Sequence, residues 1–286
     1  MDKKICLITG ANAGIGKAAA VQLAAQGCHV IMACRDKGRG LEALEEVRRD
    51  SRSDSVELMC VDMSLQSSIR QMADSFKHDR LDILISNAAA FDTSQKQPTK
   101  TKEGIESIWA TNHVGPVLMV SLLLGRLRKS EEGRILTVAS QGLMMHPFLR
   151  VDLNDPEFET RRFSVPKAYY QSKLAQVMYT YWLAENLSNT SISANCIRVT
   201  NVKIDVARYP NISRIEKWAY SIKSRKSITP ERMAQTYAHL ALSGEVSGVT
   251  GKYFDHHSKP VASSKYSCDS SEIKKVMERT MKYIIS

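Results

Sequence analysis

The chain has 286 residues, of which 43% are hydrophobic and 24% are charged, and its formal net charge is +10. This composition is ordinary for a globular protein, and the length fits one large domain with a sizeable core, although length alone also allows two domains. Lysine and arginine are scattered along the chain, without a basic stripe or a nucleic-acid-binding motif, so we expect no nucleic acid as a partner.

The cysteines and the N-terminal sequence bear on the cellular compartment. Cys6, Cys28, Cys34 and Cys60 lie in or beside apolar runs, so we expect them to be buried and reduced. The N-terminal sequence MDKKICLITG leads directly into a predicted strand without a signal peptide, and no apolar run reaches the ~18 residues that span a bilayer. We therefore expect a cytoplasmic protein, or one that is peripheral to a membrane.

Short apolar runs alternate with amphipathic stretches along the whole chain. Strands are predicted at KICLIT, CHVIMAC, SVELMCV, LDILIS, RILTVA, ISANCIRV and GKYFD. Helices are predicted at GKAAAVQLAAQ, GLEALEEVRRD, LQSSIRQMADSFK, residues 103–129, YYQSKLAQVMYTYWLAENLS, the segment capped by Thr229 and Pro230, and SSEIKKVMERTMKYII. Continuously apolar strands are typical of a parallel sheet that is covered on both faces.

This alternation predicts an α/β fold, because strand–helix–strand repeats form right-handed crossovers. We expect a single domain over residues 1–286, with a doubly wound parallel sheet and helices on both faces. Residues 256–286 are predicted to form a helical tail near the substrate pocket. The polar segment Pro147–Phe163 is predicted to be a long loop, and long loops of this kind are often functional.

A glycine-rich turn, TGANAGIG at residues 9–16, joins the first strand to the first helix. Its glycines let the backbone approach a phosphate group closely, and the helix N-terminus supplies unpaired N–H groups and a partial positive charge. Glycine-rich turns are common, but the position between strand and helix favours a nucleotide site over a plain tight turn. The predicted cofactor-binding residues in this turn are Gly10, Asn12, Gly14, Ile15 and Gly16.

The glycine spacing T-G-x-x-x-G-x-G and a set of further motifs resemble the short-chain dehydrogenase/reductase family, and within it the retinol-dehydrogenase-like branch. The further motifs are, in chain order, ACRD, VDMS, NAA, TNHVGP, RILTVAS, YYQSK, TPE and GKYF. The resemblance covers nearly the whole chain. It implies a Rossmann fold, a nicotinamide cofactor and an oxidoreductase activity. It also implies a homodimer or homotetramer, whose interfaces would involve the helices at residues 103–129 and 169–187.

The end of the second strand, VIMACRD, bears on the choice of nicotinamide cofactor. An acidic residue there would hold the adenosine ribose and disfavour a 2′-phosphate. Cys34 stands at the expected acidic position, Arg35 offers a planar fork for phosphate oxygens, and Lys17 adds charge nearby. The sequence therefore favours NADP(H) over NAD(H). The alternative is that Arg35 is a solvated charge and that Asp36 holds the ribose.

The resemblance implies two further cofactor contacts. Asp62, after the third strand, matches the residue that accepts a hydrogen bond from the adenine amino group. Asn87 matches the residue beside the adenosine ribose and the central strand. The family pattern there is N-A-G, and Ala89 replaces its glycine.

The motif YYQSK contains the candidate proton donor. Residues four apart lie on one face of a helix, so Tyr169 pairs with Lys173, whereas Tyr170 lies about 100° around the helix and is expected to pack or to form a pocket wall. An exposed Tyr/Lys pair is usually inert. The resemblance strengthens this pair by adding Ser140 at the end of RILTVAS and Asn112 in TNHVG.

The roles of these four residues are those that the resemblance implies. Tyr169 donates a proton to a carbonyl oxygen, or accepts one during alcohol oxidation. Lys173 lowers the pKa of Tyr169 electrostatically and holds the ribose hydroxyls. Ser140 orients the substrate oxygen, and Asn112 fixes a water in a proton relay from Lys173. No metal is required, and the seven histidines show no ligand spacing in the sequence.

The segment after the sixth strand departs from the family pattern. Val199 and Thr200 stand where the family has P-G, and Ile204 stands where a threonine would hold the nicotinamide carboxamide. Loss of such a hydrogen bond costs ~0.5–1.5 kcal/mol, and Thr200 or Asn201 is a candidate substitute. The alternative to an enzyme is therefore a nucleotide-binding regulatory or scaffold protein of the same fold with little or no turnover.

The candidate substrate pocket is apolar. It is expected at the Pro147–Phe163 loop, at residues 207–227 and at the C-terminal tail. Its candidate residues are Met144, Met145, Phe148, Leu149, Phe163, Tyr209, Trp218 and Tyr220. These residues favour a small lipophilic alcohol or carbonyl of retinoid, steroid or aldehyde type, although several of them would equally serve as packing. The basic segment Arg214–Ser227 is a candidate surface helix for an anionic membrane, or its charges are simply solvated.

Overall fold

The computed structural model describes residues 3–203 and 227–285. These residues contain a seven-stranded sheet whose strands are β1 (Ile5–Thr9), β2 (His29–Cys34), β3 (Val56–Cys60), β4 (Ile83–Ser86), β5 (Gly133–Ser140), β6 (Ile192–Val199) and β7 (Lys252–Phe254). The spatial order is β3-β2-β1-β4-β5-β6-β7, and all neighbouring strands are parallel. The predicted α/β fold with a doubly wound parallel sheet is therefore confirmed.

Helices cover both faces of this sheet. They are α1 (Gly14–Ala25), α2 (Lys37–Ser51), α3 (Gln66–Asp74), α4 (Ser107–Leu127), α5 (Val165–Asn186), α6 (Pro230–Leu242) and α7 (Ser270–Ile285). One face packs against α1, α2 and α6, and the other against α3, α4, α5 and α7. Thr229 caps α6 as predicted, since its side chain accepts a hydrogen bond from the backbone N–H of Arg232 at 3.2 Å.

The apolar strand runs follow from burial on both sides of the sheet. In β1, Cys6 and Ile8 pack on the α1 side, whereas Leu7 packs on the α4 side, and all three are fully buried. Alternate side chains point to opposite faces of a strand, so a strand with two covered faces needs apolar residues at successive positions. This explains why continuous apolar runs in the sequence were sufficient to predict the strands of the sheet.

The order of the strands in the sheet predicts where the ligand-binding crevice lies. From β1, the sheet extends through β2 and β3 on one side and through β4 and β5 on the other. The carboxyl ends of β1 and β4 therefore flank the point where the order reverses, and ligands of open α/β sheets bind at such a point. Gly10 follows β1 and Asn87 follows β4, so both residues lie at this position.

One expectation about the cysteines is wrong. Cys6, Cys28 and Cys34 are buried, but Cys60 is exposed. It is the last residue of β3, and β3 is the edge strand of the sheet, so its side chain lacks a neighbouring strand on one side. An apolar run in the sequence does not distinguish an edge strand from a central one.

Helix α4 corrects the expectation that no segment is long and apolar enough to span a membrane. By length and composition Ser107–Leu127 passes that test, but 72% of its most apolar window is buried inside the chain. The same properties are typical of the core helix of a globular protein. Helix α7 packs across α4 and α5, which are the helices expected at a subunit interface, and His113 Nε2 lies 2.8 Å from Thr280 Oγ1 within this packing.

Candidate active site

The glycine turn leaves the N-terminus of α1 open. Ala13 precedes the helix in an extended conformation, and no side chain caps the first turn. Gly10 and Gly14 have φ of 67° and 56°, which favour glycine. A Cβ at Gly16 would lie 2.6 Å from Asn87 Nδ2 and closer still to the Gly10 carbonyl oxygen. Unpaired N–H groups, a helix dipole and close access together suit a phosphate group.

A cleft of about 1190 Å³ lies above this turn. We call it the nucleotide cleft. Eight of the ten predicted cofactor-binding residues line it: Gly10, Asn12, Gly14, Ile15, Gly16, Arg35, Asp62 and Asn87. The other two, Tyr169 and Lys173, are not part of this lining. Its lining includes residues that follow β1, β2, β3 and β4, so a ligand bound here would lie across the carboxyl ends of several strands.

Asn87 lines the cleft and also forms hydrogen bonds that join the end of β4 to β1 and to α6. Its Nδ2 donates to the Thr9 carbonyl at 2.9 Å, its backbone N–H donates to Thr9 Oγ1 at 3.0 Å, and its Oδ1 accepts from Tyr237 Oη at 3.1 Å. Sequence reasoning identified neither Thr9 nor Tyr237 as part of the site. Only Thr9 had a signal, since it is the first residue of the glycine motif. At Ala89, which replaces the family glycine, φ is not positive, so alanine fits without strain.

The last residue of β2 and the residues that follow it occupy different environments. Cys34 is buried, and burial raises the pKa of its thiol to about 11. Arg35 is exposed on the cleft wall. Asp36 caps α2, because its Oδ1 accepts from the backbone N–H of Arg39 at 2.9 Å. Lys17 forms an ion pair with Glu46, so its charge is partly neutralised by a carboxylate of α2.

Asp62 is held by the turn that follows β3. Its Oδ1 accepts hydrogen bonds from the backbone N–H and the hydroxyl of Ser64, at 2.9 and 2.7 Å. Its own backbone N–H donates to Ser68 Oγ at 3.0 Å. The Asp62 carboxylate is therefore held in place at the wall of the nucleotide cleft.

Lys173 and Tyr169 share one face of α5. Lys173 is only 2% exposed, and its Nζ donates to the Val138 carbonyl at 2.9 Å. The same Nζ lies 5.7 Å from the centroid of the Tyr169 ring. Burial lowers the pKa of Lys173 to about 8. Tyr169 is half-buried, and its ring centroid lies 4.5 Å from that of Phe91, whose side chain lines the nucleotide cleft.

Tyr170 packs against the loop after β5, and its ring also meets the Tyr169 ring edge-on, with centroids 5.4 Å apart. Its ring centroid lies 4.6 Å from that of His146. A Cβ added at Gly142 would lie 2.5 Å from Tyr170 Oη, so the ring rests directly on the backbone of this turn. Tyr170 therefore supports the loop after β5, whereas Tyr169 faces Lys173 and Phe91.

Ser140 is the last residue of β5 and begins a short 3-10 helix, Gln141–Met145. Its Oγ accepts from the backbone N–H of Gly142 at 3.1 Å, and its carbonyl accepts from Tyr253 Oη at 3.3 Å. A hydroxyl that accepts one hydrogen bond retains its proton for donation. The backbone thus fixes Ser140 Oγ while its O–H is able to donate to a substrate oxygen.

Asn112 lies in a π-helical turn, Ala110–Val114, within α4 and is buried. Its Oδ1 accepts from the Ala90 N–H at 2.6 Å, and its Nδ2 donates to the Ala90 carbonyl at 3.1 Å and to Ser172 Oγ at 3.0 Å. Ser172 Oγ in turn donates to the Tyr169 carbonyl at 2.7 Å. The side chain therefore clamps the cleft wall to the first turns of α5, a role that the sequence did not indicate.

The segment after β6 runs beside the site. Val199 is the register partner of Ser140, and Thr200 Oγ1 hydrogen-bonds Gln141 Oε1. Val202 and Lys203 line the nucleotide cleft. Ile204 lies outside the described residues, as do Tyr209, Trp218, Tyr220 and all of the basic segment Arg214–Ser227 except its last residue.

A second cavity, of about 740 Å³, lies between the loop after β5, helix α5 and the C-terminal tail. Its lining includes Met144, Phe148 and Leu149 of the predicted pocket, Leu174 and Val177 of α5, and residues 262–267 of the C-terminal tail. Phe148 is 94% exposed, and Met145, which was also predicted for the pocket, is 80% exposed and is not part of this lining. Phe163 instead packs edge-on against Phe158, with ring centroids 5.6 Å apart.

Comparison with known proteins identifies the family. The model of the short chain dehydrogenase family matches residues 4–150. The chain therefore belongs to the short-chain dehydrogenase family. It is an oxidoreductase of the alcohol dehydrogenase and carbonyl reductase type, which acts on CH–OH groups with NAD(P) as acceptor.

Curated relatives cover most of the chain. Retinol dehydrogenase 14 from Homo sapiens is 35% identical over 270 residues, which represent 89% of this chain and 78% of that protein. Retinol dehydrogenase 12 from Homo sapiens is 34% identical over 253 residues, with 88% and 77% coverage. These values support the resemblance to the retinol-dehydrogenase-like branch.

Solved structures share the fold. An uncharacterised protein from Mycobacterium paratuberculosis has a TM-score of 0.76 and 26% identity, and the match covers 99% of this chain and 94% of that one. A short-chain dehydrogenase from Shigella flexneri 2a in complex with NADP has a TM-score of 0.67 and 20% identity, with 90% and 98% coverage.

Proposed function

We propose that this protein is an NADP(H)-dependent oxidoreductase that interconverts a small lipophilic alcohol and its carbonyl compound. The observation that carries the proposal is the buried ammonium of Lys173, 5.7 Å from the ring of Tyr169 and hydrogen-bonded to Val138, two residues before Ser140 on β5. A buried cation next to a phenol favours the phenolate and so prepares the phenol for proton transfer.

In this proposal three side chains handle the proton and the substrate oxygen. Tyr169 donates its phenolic proton to the carbonyl oxygen during reduction, and its phenolate accepts the alcohol proton during oxidation. Ser140 donates a hydrogen bond to the same oxygen and so orients it. Lys173 stabilises the phenolate, and the Asn112 clamp holds the first turns of α5 in place. The cofactor supplies or accepts the hydride when it is bound.

The nucleotide cleft fits such a cofactor. The uncapped N-terminus of α1 would hold the pyrophosphate, and Asp62 would contact the adenine. Preference for NADP(H) rests on Arg35, which is exposed on the cleft wall, and on Asp36, one of whose carboxylate oxygens already caps α2. The NADP and NADPH complexes among the solved structures of the same fold support a nicotinamide cofactor.

Support for a lipophilic substrate comes from the second cavity and from the relatives. The cavity has the size of a typical small-molecule site, roughly 300–1,000 Å³, and apolar side chains dominate its walls. Several curated relatives are named retinol dehydrogenases. We therefore infer a retinoid, a steroid or a fatty aldehyde as the substrate class.

The test compares two tyrosines of the same helix. NADPH oxidation is measured with retinal, steroid ketones and aliphatic aldehydes for the wild type, Tyr169→Phe and Tyr170→Phe. We expect Tyr169→Phe to lose at least about 100-fold in kcat, because general acid catalysis typically contributes 10²–10⁴-fold. Tyr170→Phe should retain most of the activity. Full activity of Tyr169→Phe would contradict the assignment, and tight NADPH binding without turnover on any substrate would favour the regulatory alternative.

A further inference from the structure

Three metal-ligand side chains meet at the end of the sheet opposite the nucleotide cleft. His29 is the first residue of β2, Glu57 is the second residue of β3, and His78 follows α3. One ligand atom from each residue lies within 4.8 Å of the other two. All strands are parallel, so the amino ends of β2 and β3 lie at the edge of the sheet that the cofactor does not use.

The three ligand atoms converge on a common point. Glu57 Oε1 lies 2.8 Å from His78 Nε2 and 3.6 Å from His29 Nε2. Tetrahedral zinc, with bonds of about 2.0–2.2 Å, places its ligand atoms roughly 3.3–3.5 Å apart. Small rotations of half-buried side chains would thus bring these atoms to bonding distance of one ion.

His29 shows the strongest mark of such a site. Its Nε2 is shielded from solvent and forms no hydrogen bond within the described part of the chain. Its Nδ1 lies 3.0 Å from Ser55 Oγ, which fixes the orientation of the ring. Metal-binding histidines commonly have this arrangement, in which one ring nitrogen is held by a polar neighbour and the other faces the metal.

We propose that His29 Nε2, His78 Nε2 and the Glu57 carboxylate bind a divalent transition-metal ion of the zinc class, with water at the fourth position. Two imidazoles and one carboxylate match zinc in ligand type. The ion would join the edge strand β3 to β2 and to the segment after α3. It lies away from Tyr169 and Lys173, so its role would be to stabilise the fold rather than to take part in hydride transfer.

The experiment measures zinc binding to the full chain after removal of metals with a chelator. We expect one equivalent of Zn²⁺ to bind and to raise the Tm by about 5 °C at a hundredfold excess over Kd. Co²⁺ should give the visible absorption of a tetrahedral site without a sulfur-to-metal charge-transfer band, which separates this site from the exposed thiols of Cys60 and Cys268.

Substitutions of the proposed ligands test where the zinc ion binds. His78→Ala and the near-isosteric Glu57→Gln should each lose the saturable binding and the Tm shift, with circular dichroism used to show that both variants fold. The control replaces His256 and His257 by alanine, since their rings lie 3.9 Å apart and form another histidine pair in the described chain. Loss of binding in this control but not in His78→Ala would overturn the proposal, as would the absence of zinc binding to the wild type.

Discussion

Lys173 Nζ lies 5.7 Å from the centre of the Tyr169 ring and is shielded from water by the protein around it. The two residues are four positions apart on α5, and the hydrogen bond from Lys173 to the Val138 carbonyl ties this pair to β5. Because β5 also ends at Ser140, one strand and one helix hold the three proposed reactive side chains.

The buried ammonium should leave a signature in the pH dependence of stability. Burial lowers the pKa of Lys173 from 10.5 to about 8. Between these values the unfolded chain binds a proton that the folded chain does not, so the free energy of unfolding rises with pH through this window. Urea unfolding between pH 8 and 9, below the range in which the buried thiols oppose this effect, should show a slope that is smaller in Lys173→Met than in the wild type by up to about 1.4 kcal/mol per pH unit. The exposed Lys167→Met is the control, and equal slopes in all three proteins would contradict the effect.

Burial of His113 should make the folded protein less stable at acidic pH. Burial lowers the pKa of His113 from 6.5 to about 3. Between these values only the unfolded chain takes up the proton, so stability falls as the pH drops below about 6.5, by up to ~1.4 kcal/mol per unit. Unfolding by urea at pH 7 and pH 5 should show a smaller loss for His113→Gln than for the wild type. The exposed His257→Gln should behave as the wild type does, and a His113→Gln protein with the wild-type pH dependence would refute the prediction.

Arg35 should decide between the two nicotinamide cofactors. A hydrogen bond to a charged group contributes about 1.5–3 kcal/mol, so Arg35→Ala should weaken NADPH binding by roughly 10- to 100-fold and leave NADH binding nearly unchanged. Fluorescence titration of both cofactors measures the ratio. Arg39→Ala is the matched control, because Arg39 also lines the cleft and is exposed. Equal losses for NADPH and NADH would reject the phosphate contact.

Two glycine-to-alanine substitutions, one in the glycine turn and one in α4, should have opposite effects on stability. Gly16→Ala would force a Cβ against the Gly10 carbonyl and Asn87 Nδ2, so we expect at least a tenfold loss of NADPH affinity and a lower Tm. Gly125→Ala in α4 meets no atom within 4 Å and should raise stability by about 0.5–1 kcal/mol, because alanine favours a helix more than glycine does. Thermal unfolding and NADPH titration distinguish the two. Unchanged NADPH affinity in Gly16→Ala would show that the turn tolerates a side chain.

The sequence predicted those parts of the fold that depend on local periodicity. Strands covered on both faces gave continuous apolar runs, and helical spacing separated Tyr169 from Tyr170. Helix α5 begins at Val165, four residues before the predicted start, because Ser164 Oγ accepts from the backbone N–H of Lys167 and caps the first turn. Caps of this kind depend on one side-chain contact that periodicity does not report.

Features that depend on strand order and on distant contacts were not predictable. Asn87 is bound by Thr9, 78 positions earlier, and by Tyr237, 150 positions later. The exposure of Cys60 follows from the edge position of β3, which only the assembled sheet defines. His29, Glu57 and His78 lack motif spacing because three separate elements bring them together.

The contact between Gly142 and Tyr170 has a consequence for substitutions in this turn. The aromatic ring fills the space that any side chain at position 142 would need, so the two positions form one steric unit. With the same backbone here, a residue larger than glycine at position 142 requires the Tyr170 ring to move away or to be replaced by a smaller side chain. Because the Tyr170 ring also meets the Tyr169 ring edge-on, with centroids 5.4 Å apart, a change at position 142 would alter the packing around Tyr169 as well.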